Sequence, residues 1–295
     1  MRMKTLLACT GLLLSQLASA SEPLPQRWVS AGGAFTEWVV ALGGESKLVG
    51  VDSTSQYPRS LQKLPGVGYQ RALAAEGILT LKPDILLGSN EMGPPPVIEQ
   101  LKAAGVRIEM LSATADMPTL QHNLNQLGQL LGKPAEAQHL MDSYSQRLKN
   151  QANLVSQAQQ HNAAPRALLL LSHSGGNLQV AGKDTLAAWM IQQAGGNSLV
   201  EHLGYKPVSN EALLALDPQV IIFAGGRLQG DEARAALLTQ NPVLGQTSAG
   251  RDGRIVVIDP TLLVGGLGPR VPDALADLTK AFYPDSQVLT AEAKQ

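Results

Sequence analysis

The sequence predicts an α/β protein: two Rossmann-like lobes with mostly parallel sheets, joined by a single long α-helix, with a ligand cleft between the lobes. Three observations carry that expectation. Short aliphatic runs alternate with helix-period segments along most of the chain, the pattern of βα units and of parallel sheets covered on both faces. Residues 75–87 are matched in order by residues 210–222, each stretch holding a glutamate seven residues before a proline that leads into a strand. Between the halves runs one uninterrupted helical pattern.

In the first half, Trp28-Val29-Ser30, Leu48-Val49-Gly50-Val51, Ile85-Leu86-Leu87 and Val106-Arg107-Ile108-Glu109-Met110 read as strands, with helices over 35–42, 73–81 and 97–104 between them. The second half repeats the order, with strand-like runs at 167–171, 220–223 and 255–258 and helix-like runs at 185–193, 210–216 and 272–281. In the linking segment Pro134 suits a first helical turn and Pro165 closes the pattern. Ala137, Leu140, Met141, Tyr144, Leu148, Ala152 and Val155 recur there at spacings of three and four, marking one apolar face. Such a helix runs about 40 Å at 1.5 Å per residue. A single strut of this kind favours small rocking of the lobes over wide hinge closure. The expected organisation is an N-terminal lobe over 21–133, the helix over 134–164 and a C-terminal lobe over 165–295.

Residues 1–20 read as a cleaved signal peptide: Arg2 and Lys4, a short apolar run, then Ala18-Ser19-Ala20 as an A-x-A site. The apolar run is too short to span a bilayer. Export places the mature chain in the periplasm. Cleavage takes the charge from 23 basic and 24 acidic groups to 21 and 24, from −1 to −3, which argues against a nucleic-acid partner. The single cysteine, Cys9, leaves with the leader, so the mature chain has neither thiolate chemistry nor a disulfide framework.

Leu64-Pro65-Gly66-Val67-Gly68-Tyr69-Gln70-Arg71-Ala72 places a tyrosine on a glycine-rich loop with an arginine two residues on. A nearby cation stabilises a phenolate, and tyrosinate is an axial ligand for haem iron. Ferric haem is therefore the first ligand to test. Loops of this kind gather outside the carboxyl ends of sheet strands, where ligands bind in open α/β folds. Gly225-Gly226-Arg227 ends a second-half strand, and Arg227 there can clamp a carboxylate or reinforce ionisation of Tyr69. Leu171-Ser172-His173-Ser174-Gly175-Gly176 ends another, making His173 either a second iron ligand or a histidine bonded within its own loop. The remaining histidines have no metal-ligand spacing. Ser172 and Ser174 lack a nucleophile elbow, and there is neither a Walker A loop nor a convincing dinucleotide fingerprint. The residues do not point to an enzyme. Glu76 and Glu211, at equivalent places in the matched stretches, either dock two arginines of a symmetric dimer or are helix-surface glutamates favoured near N-termini.

Taken together these residues resemble the haem-binding periplasmic proteins of bacterial haem ABC importers, within the long-helix class shared with cobalamin and ferric-siderophore carriers. The most specific marks are Gly66-Val67-Gly68-Tyr69-Gln70-Arg71-Ala72, Leu171-Ser172-His173-Ser174-Gly175, Val180-Ala181-Gly182-Lys183-Asp184-Thr185 and Gly265-Gly266-Leu267-Gly268-Pro269-Arg270. The resemblance implies ferric haem b as cargo, with Tyr69 as iron ligand and Arg71 and Arg227 assisting the phenolate or the propionates. It implies Glu76 and Glu211 as docking residues, one for each half of a dimeric inner-membrane ABC permease with its ATPase. An outer-membrane haem receptor is the implied upstream donor. Ser174 stands where some relatives carry another glycine, which leaves iron ligation by His173 open. Met92, Leu262, Leu263 and Val264 lie in loops that can wall a haem cleft. The alternative cargo is cobalamin or a ferric siderophore.

Overall fold

A computed structural model describes residues 23–172, 178–225 and 230–286. The first sheet has the order β2-β1-β3-β4 and is parallel throughout. It is built from β1 (Trp28–Ala31), β2 (Leu48–Val51), β3 (Ile85–Ser89) and β4 (Arg107–Leu111). β1 and β3 are buried along their whole length, because helices cover both faces of a parallel sheet and every strand position then faces apolar side chains. Those helices are α1 (Gly33–Ala41), α2 (Ala75–Thr80), α3 (Pro95–Ala103) and α4 (Met117–Leu131).

α5 (Pro134–Gln159) crosses between the halves. Ala137, Met141, Tyr144, Val155 and Ala158 are its buried apolar positions. The apolar stripe departs from the sequence reading near its end: Ala152 is exposed and Gln151 is buried instead. Alternating steps of three and four from Tyr144 through Leu148 lead to 151 and 155, and the Gln151 amide donates to the Leu275 carbonyl (3.3 Å) and the Thr279 hydroxyl. A buried amide is tolerated where partners meet it. The helix stops at Gln159, with Asn162 Nδ2 donating to the Ala158 carbonyl at 2.8 Å, before Pro165 is reached.

The second sheet has the order β10-β9-β5-β6-β8, with β7 also paired to β5. β5 (Arg166–Ser172), β9 (Val220–Gly225) and β10 (Ile255–Ile258) are parallel, as the sequence predicts. β6 (Leu178–Ala181) runs antiparallel to β5, and β8 (Tyr205–Pro207) antiparallel to β6. The antiparallel pairs are confined to this edge, so the sheets are mostly parallel, as expected. The short β7 is Asn197–Ser198, and the helices of this half are α6 (Leu186–Gln193), α7 (Asn210–Leu216), α8 (Gly230–Gln240), α9 (Ser248–Arg251) and α10 (Val271–Phe282). α4, α8 and the β6–β8 edge are not among the elements read from the sequence.

The two halves share one apolar core. Trp28, Phe35, Trp38, Leu124, Met141, Tyr144, Leu169, Ile222, Leu275 and Phe282 belong to a single buried cluster. Trp38 and Tyr144 pack with ring centroids 5.8 Å apart. Among the described residues no helix is long and apolar enough to cross a membrane.

Candidate functional site

The Tyr69 loop is pinned from both sides. Val51 N–H donates to the Pro65 carbonyl (3.1 Å), Val67 N–H to Val51 (2.9 Å) and Ser53 N–H to Gly68 (2.7 Å), binding the loop to the end of β2. Gly93 N–H donates to Gln70 (2.9 Å) and Leu73 N–H to Gly93 (2.8 Å), binding it to the segment after β3. Val67, Gln70 and Leu73 are buried at every third position, so Tyr69 and Arg71 are left facing outward. Tyr69 is 41% exposed. Gly68 has φ +88°, the left-handed region that glycine enters without steric cost. Gly66 takes no such conformation and borders open space, so of the two glycines in the motif only Gly68 is demanded by the backbone.

Arg71 Nη2 donates to Glu91 Oε2 at 2.6 Å, a pair with about half of each side chain exposed. The Glu91 hydrogen bond is the largest influence raising the Arg71 pKa above its ordinary value; burial works against it, and the charge of Glu91 and the nearby Tyr69 oxygen add to it. Sequence reading missed Glu91, which follows β3 and reaches Arg71 only through the fold. The charge of Glu91 is also felt in the second half, by Tyr205 at the start of β8. Its phenol is pushed up to about 12, first by burial; the Thr185 hydroxyl opposes this, and the carboxylates of Glu91 and Asp184 reinforce it. Glu91 therefore pairs directly with an N-terminal arginine and acts on a C-terminal tyrosine through its charge. A cleft of about 580 Å³ opens between Thr114, Ala115 and Asp116, which follow β4, and Lys183, Asp184, Thr185 and Trp189; neither Tyr69 nor Arg71 lines it. A flat, drug-sized ligand fits such a volume.

The expected walls are placed differently. Met92 is 5% exposed in the core cluster around β1 and β3, with its sulfur against the Gly88 backbone. Leu262 is likewise buried, and Leu263 and Val264 are half-buried. They form a seam between the halves, where Ala34 N–H donates to Val264 (3.1 Å) and Trp38 Nε1 to Leu267 (2.8 Å).

At the centre of that seam sits Arg270. It donates to Glu37 Oε1 on α1 (Nε 2.9 Å, Nη2 2.6 Å), to Asp259 Oδ2 (2.8 Å) and to the Thr261 hydroxyl (3.0 Å). The Glu37 side chain is 5% exposed and that of Arg270 18%. Burial raises the Glu37 pKa, and Arg270 offsets this only in part. Burial also pushes Asp259 upward, but the Thr261 N–H, the Thr261 hydroxyl and Arg270 outweigh it and hold that carboxyl below its ordinary range. The Tyr57 ring covers the guanidinium at 4.7 Å. The sequence signal for this cluster was a glutamate inside an otherwise apolar helix face at 35–42.

Glu76 and Glu211 lie exposed on α2 and α7. The Glu211 carboxyl sits below its ordinary value because its own N–H and the Ser209 hydroxyl hydrogen-bond to it. The residue equivalent to Ser209 is Ala74, which caps nothing. His173, Ser174 and Arg227 lie outside the described residues.

Two α/β sheets around one long helix, with loops from both meeting at a cleft, define a two-lobed ligand-binding protein. The chain belongs to the periplasmic binding protein family, whose sequence model matches residues 29–262. It is similar to a periplasmic haem-binding protein from Pseudomonas aeruginosa at 59% identity, with a TM-score of 0.87 over 90% of this chain and 95% of that one. It is also similar to the periplasmic haem-binding protein HutB of Vibrio cholerae, at 36% identity and a TM-score of 0.76 over 88% and 99%. The vitamin B12-binding protein of Pectobacterium atrosepticum is 31% identical over 222 residues, 73% of this chain and 76% of that one. Proteins of this kind are substrate-binding components of transporters, not enzymes.

Proposed function

We propose that this protein carries ferric haem b through the periplasm and delivers it to a dimeric inner-membrane ABC permease with its ATPase, without catalysing a reaction. The observation that carries the reading is the rigid presentation of Tyr69 and Arg71 at the carboxyl end of the first sheet. The 59% identity to a haem-binding protein supports it. In this reading the Tyr69 phenolate binds the iron, and the opposite axial position is either left open, so the cargo can be released, or taken by His173. Arg71 and Arg227 meet the phenolate or the propionates, and His173 is a possible second ligand. Glu76 and Glu211 meet the two halves of the permease, and an outer-membrane receptor supplies the haem.

The Arg71–Glu91 pair gives the entry step a physical form. An exposed ion pair of this kind contributes about 0–1 kcal/mol, so a haem propionate can displace Glu91 at little cost. We expect Glu91→Gln to raise ferric-haem affinity by roughly two- to fivefold, the equivalent of at most about 1 kcal/mol, measured by fluorescence quenching. An unchanged or lowered affinity would place Glu91 outside the exchange.

The cargo is tested by titrating the mature protein with ferric haem and, separately, with cobalamin. Saturable binding of haem alone supports the proposal. Saturable binding of cobalamin with none of haem would assign the protein to the second reading, which the similarity to a vitamin B12-binding protein keeps in view.

A further inference from the structure

The internal repeat extends beyond the two glutamates. On α2 the residues Glu76, Ile78 and Leu79 stand in the same order as Glu211, Leu213 and Leu214 on α7. Ile78 and Leu213 anchor the two helices at 0% and 1% exposure. Leu79 and Leu214 point the other way, 36% and 40% exposed. Both helices are followed by a non-glycine residue with positive φ, Lys82 at +46° and Asp217 at +37°, each directly before the proline that leads into the next strand. The two surfaces therefore share their backbone exit as well as their side chains.

Residues three apart on a helix are neighbours on its surface. Each helix thus shows solvent a carboxylate beside an isobutyl group. A single exposed leucine is ordinary; the same leucine beside the same glutamate on both copies of a repeat matches a partner that offers one chemistry twice. We infer that Leu79 and Leu214 are the apolar contacts of the permease-docking surface, each entering an apolar recess beside a cationic side chain on one half of a two-fold permease. This rests on the docking role proposed for Glu76 and Glu211. The division of labour follows from interface physics: exposed ion pairs steer and orient but hold weakly, whereas a buried apolar anchor supplies residence.

The test measures binding of the haem-loaded chain to its permease–ATPase complex in lipid nanodiscs. Two double variants are compared, Leu79→Ala with Leu214→Ala, and Glu76→Ala with Glu211→Ala; haem titration and thermal unfolding verify that each is loaded and folded. We expect each leucine substitution to weaken docking about tenfold and the pair about 100-fold, since well-separated sites add. The leucine effect should persist at high salt while the glutamate effect shrinks. Docking lost in the glutamate pair but intact in the leucine pair would overturn the inference and leave the docking reading standing. Docking intact in both pairs would overturn the docking reading itself, and the inference with it.

Discussion

Replacing Tyr69 by alanine is expected to weaken ferric-haem binding more than any other single substitution in the cleft. Loss of a group that merely orients a metal ligand costs about 10–100-fold in affinity, so loss of the ligand itself should exceed about 100-fold. The loop around Tyr69 should survive the change, because its hydrogen bonds run through the backbone of Val67, Gly68, Gln70 and Leu73 and its buried side chains are Val67, Gln70 and Leu73. The expected loss is therefore one of binding without loss of fold. Arg227→Ala should cost far less, since in this reading it removes a charge contact to a propionate and leaves the bond to the iron intact. Isothermal or fluorescence titration of both variants checks the ordering. Equal losses would mean that charge clamping, and not iron ligation, carries the affinity.

The second large effect concerns stability. Arg270→Met should destabilise the protein by roughly 3–5 kcal/mol, because it leaves the Glu37 carboxylate buried without its counter-charge. Urea unfolding at neutral pH measures this. The pH dependence separates lost charge compensation from lost packing. Glu37 already has a raised pKa in the folded protein, and removing Arg270 raises it further. A carboxyl whose folded pKa exceeds its unfolded value binds more protons when folded, so its contribution to stability falls as pH rises through that window. The deficit of Arg270→Met should thus narrow when the pH is lowered toward about 5, and Glu37→Gln combined with Arg270→Met should be more stable than Arg270→Met alone at neutral pH. A deficit independent of pH would assign the loss to packing of the guanidinium against Tyr57.

Much of this architecture was legible in the chain because it depends on local pattern. Continuous aliphatic runs such as Ile85-Leu86-Leu87 become strands buried on both faces, and Pro134 opens a helix that its apolar stripe sustains. The stripe misled only at Gln151, where hydropathy favours Ala152 as the buried position and the amide is instead satisfied by a distant helix. α4 was passed over although Asp116 caps it through the Thr119 N–H at 2.7 Å, a start signal of the ordinary kind. The β6–β8 edge was hidden for a different reason: Leu178–Ala181 and Tyr205–Pro207 are broken by Gln179 and Lys206 and show neither a continuous aliphatic run nor a full alternation. Tyr69 and Arg71 were legible because one motif holds both. Glu91, Tyr205 and the Glu37–Asp259–Arg270 cluster were not, since their partners lie far apart in sequence and meet only once both sheets are built.

The measurement that bears most directly on the central claim is the absorption spectrum of the ferric-haem complex of the mature protein beside that of Tyr69→Phe. Phenylalanine keeps the ring and removes only the oxygen. A phenolate-to-iron charge-transfer band in the unaltered protein, absent from Tyr69→Phe, is the predicted result. The same band in both proteins would contradict iron ligation by Tyr69.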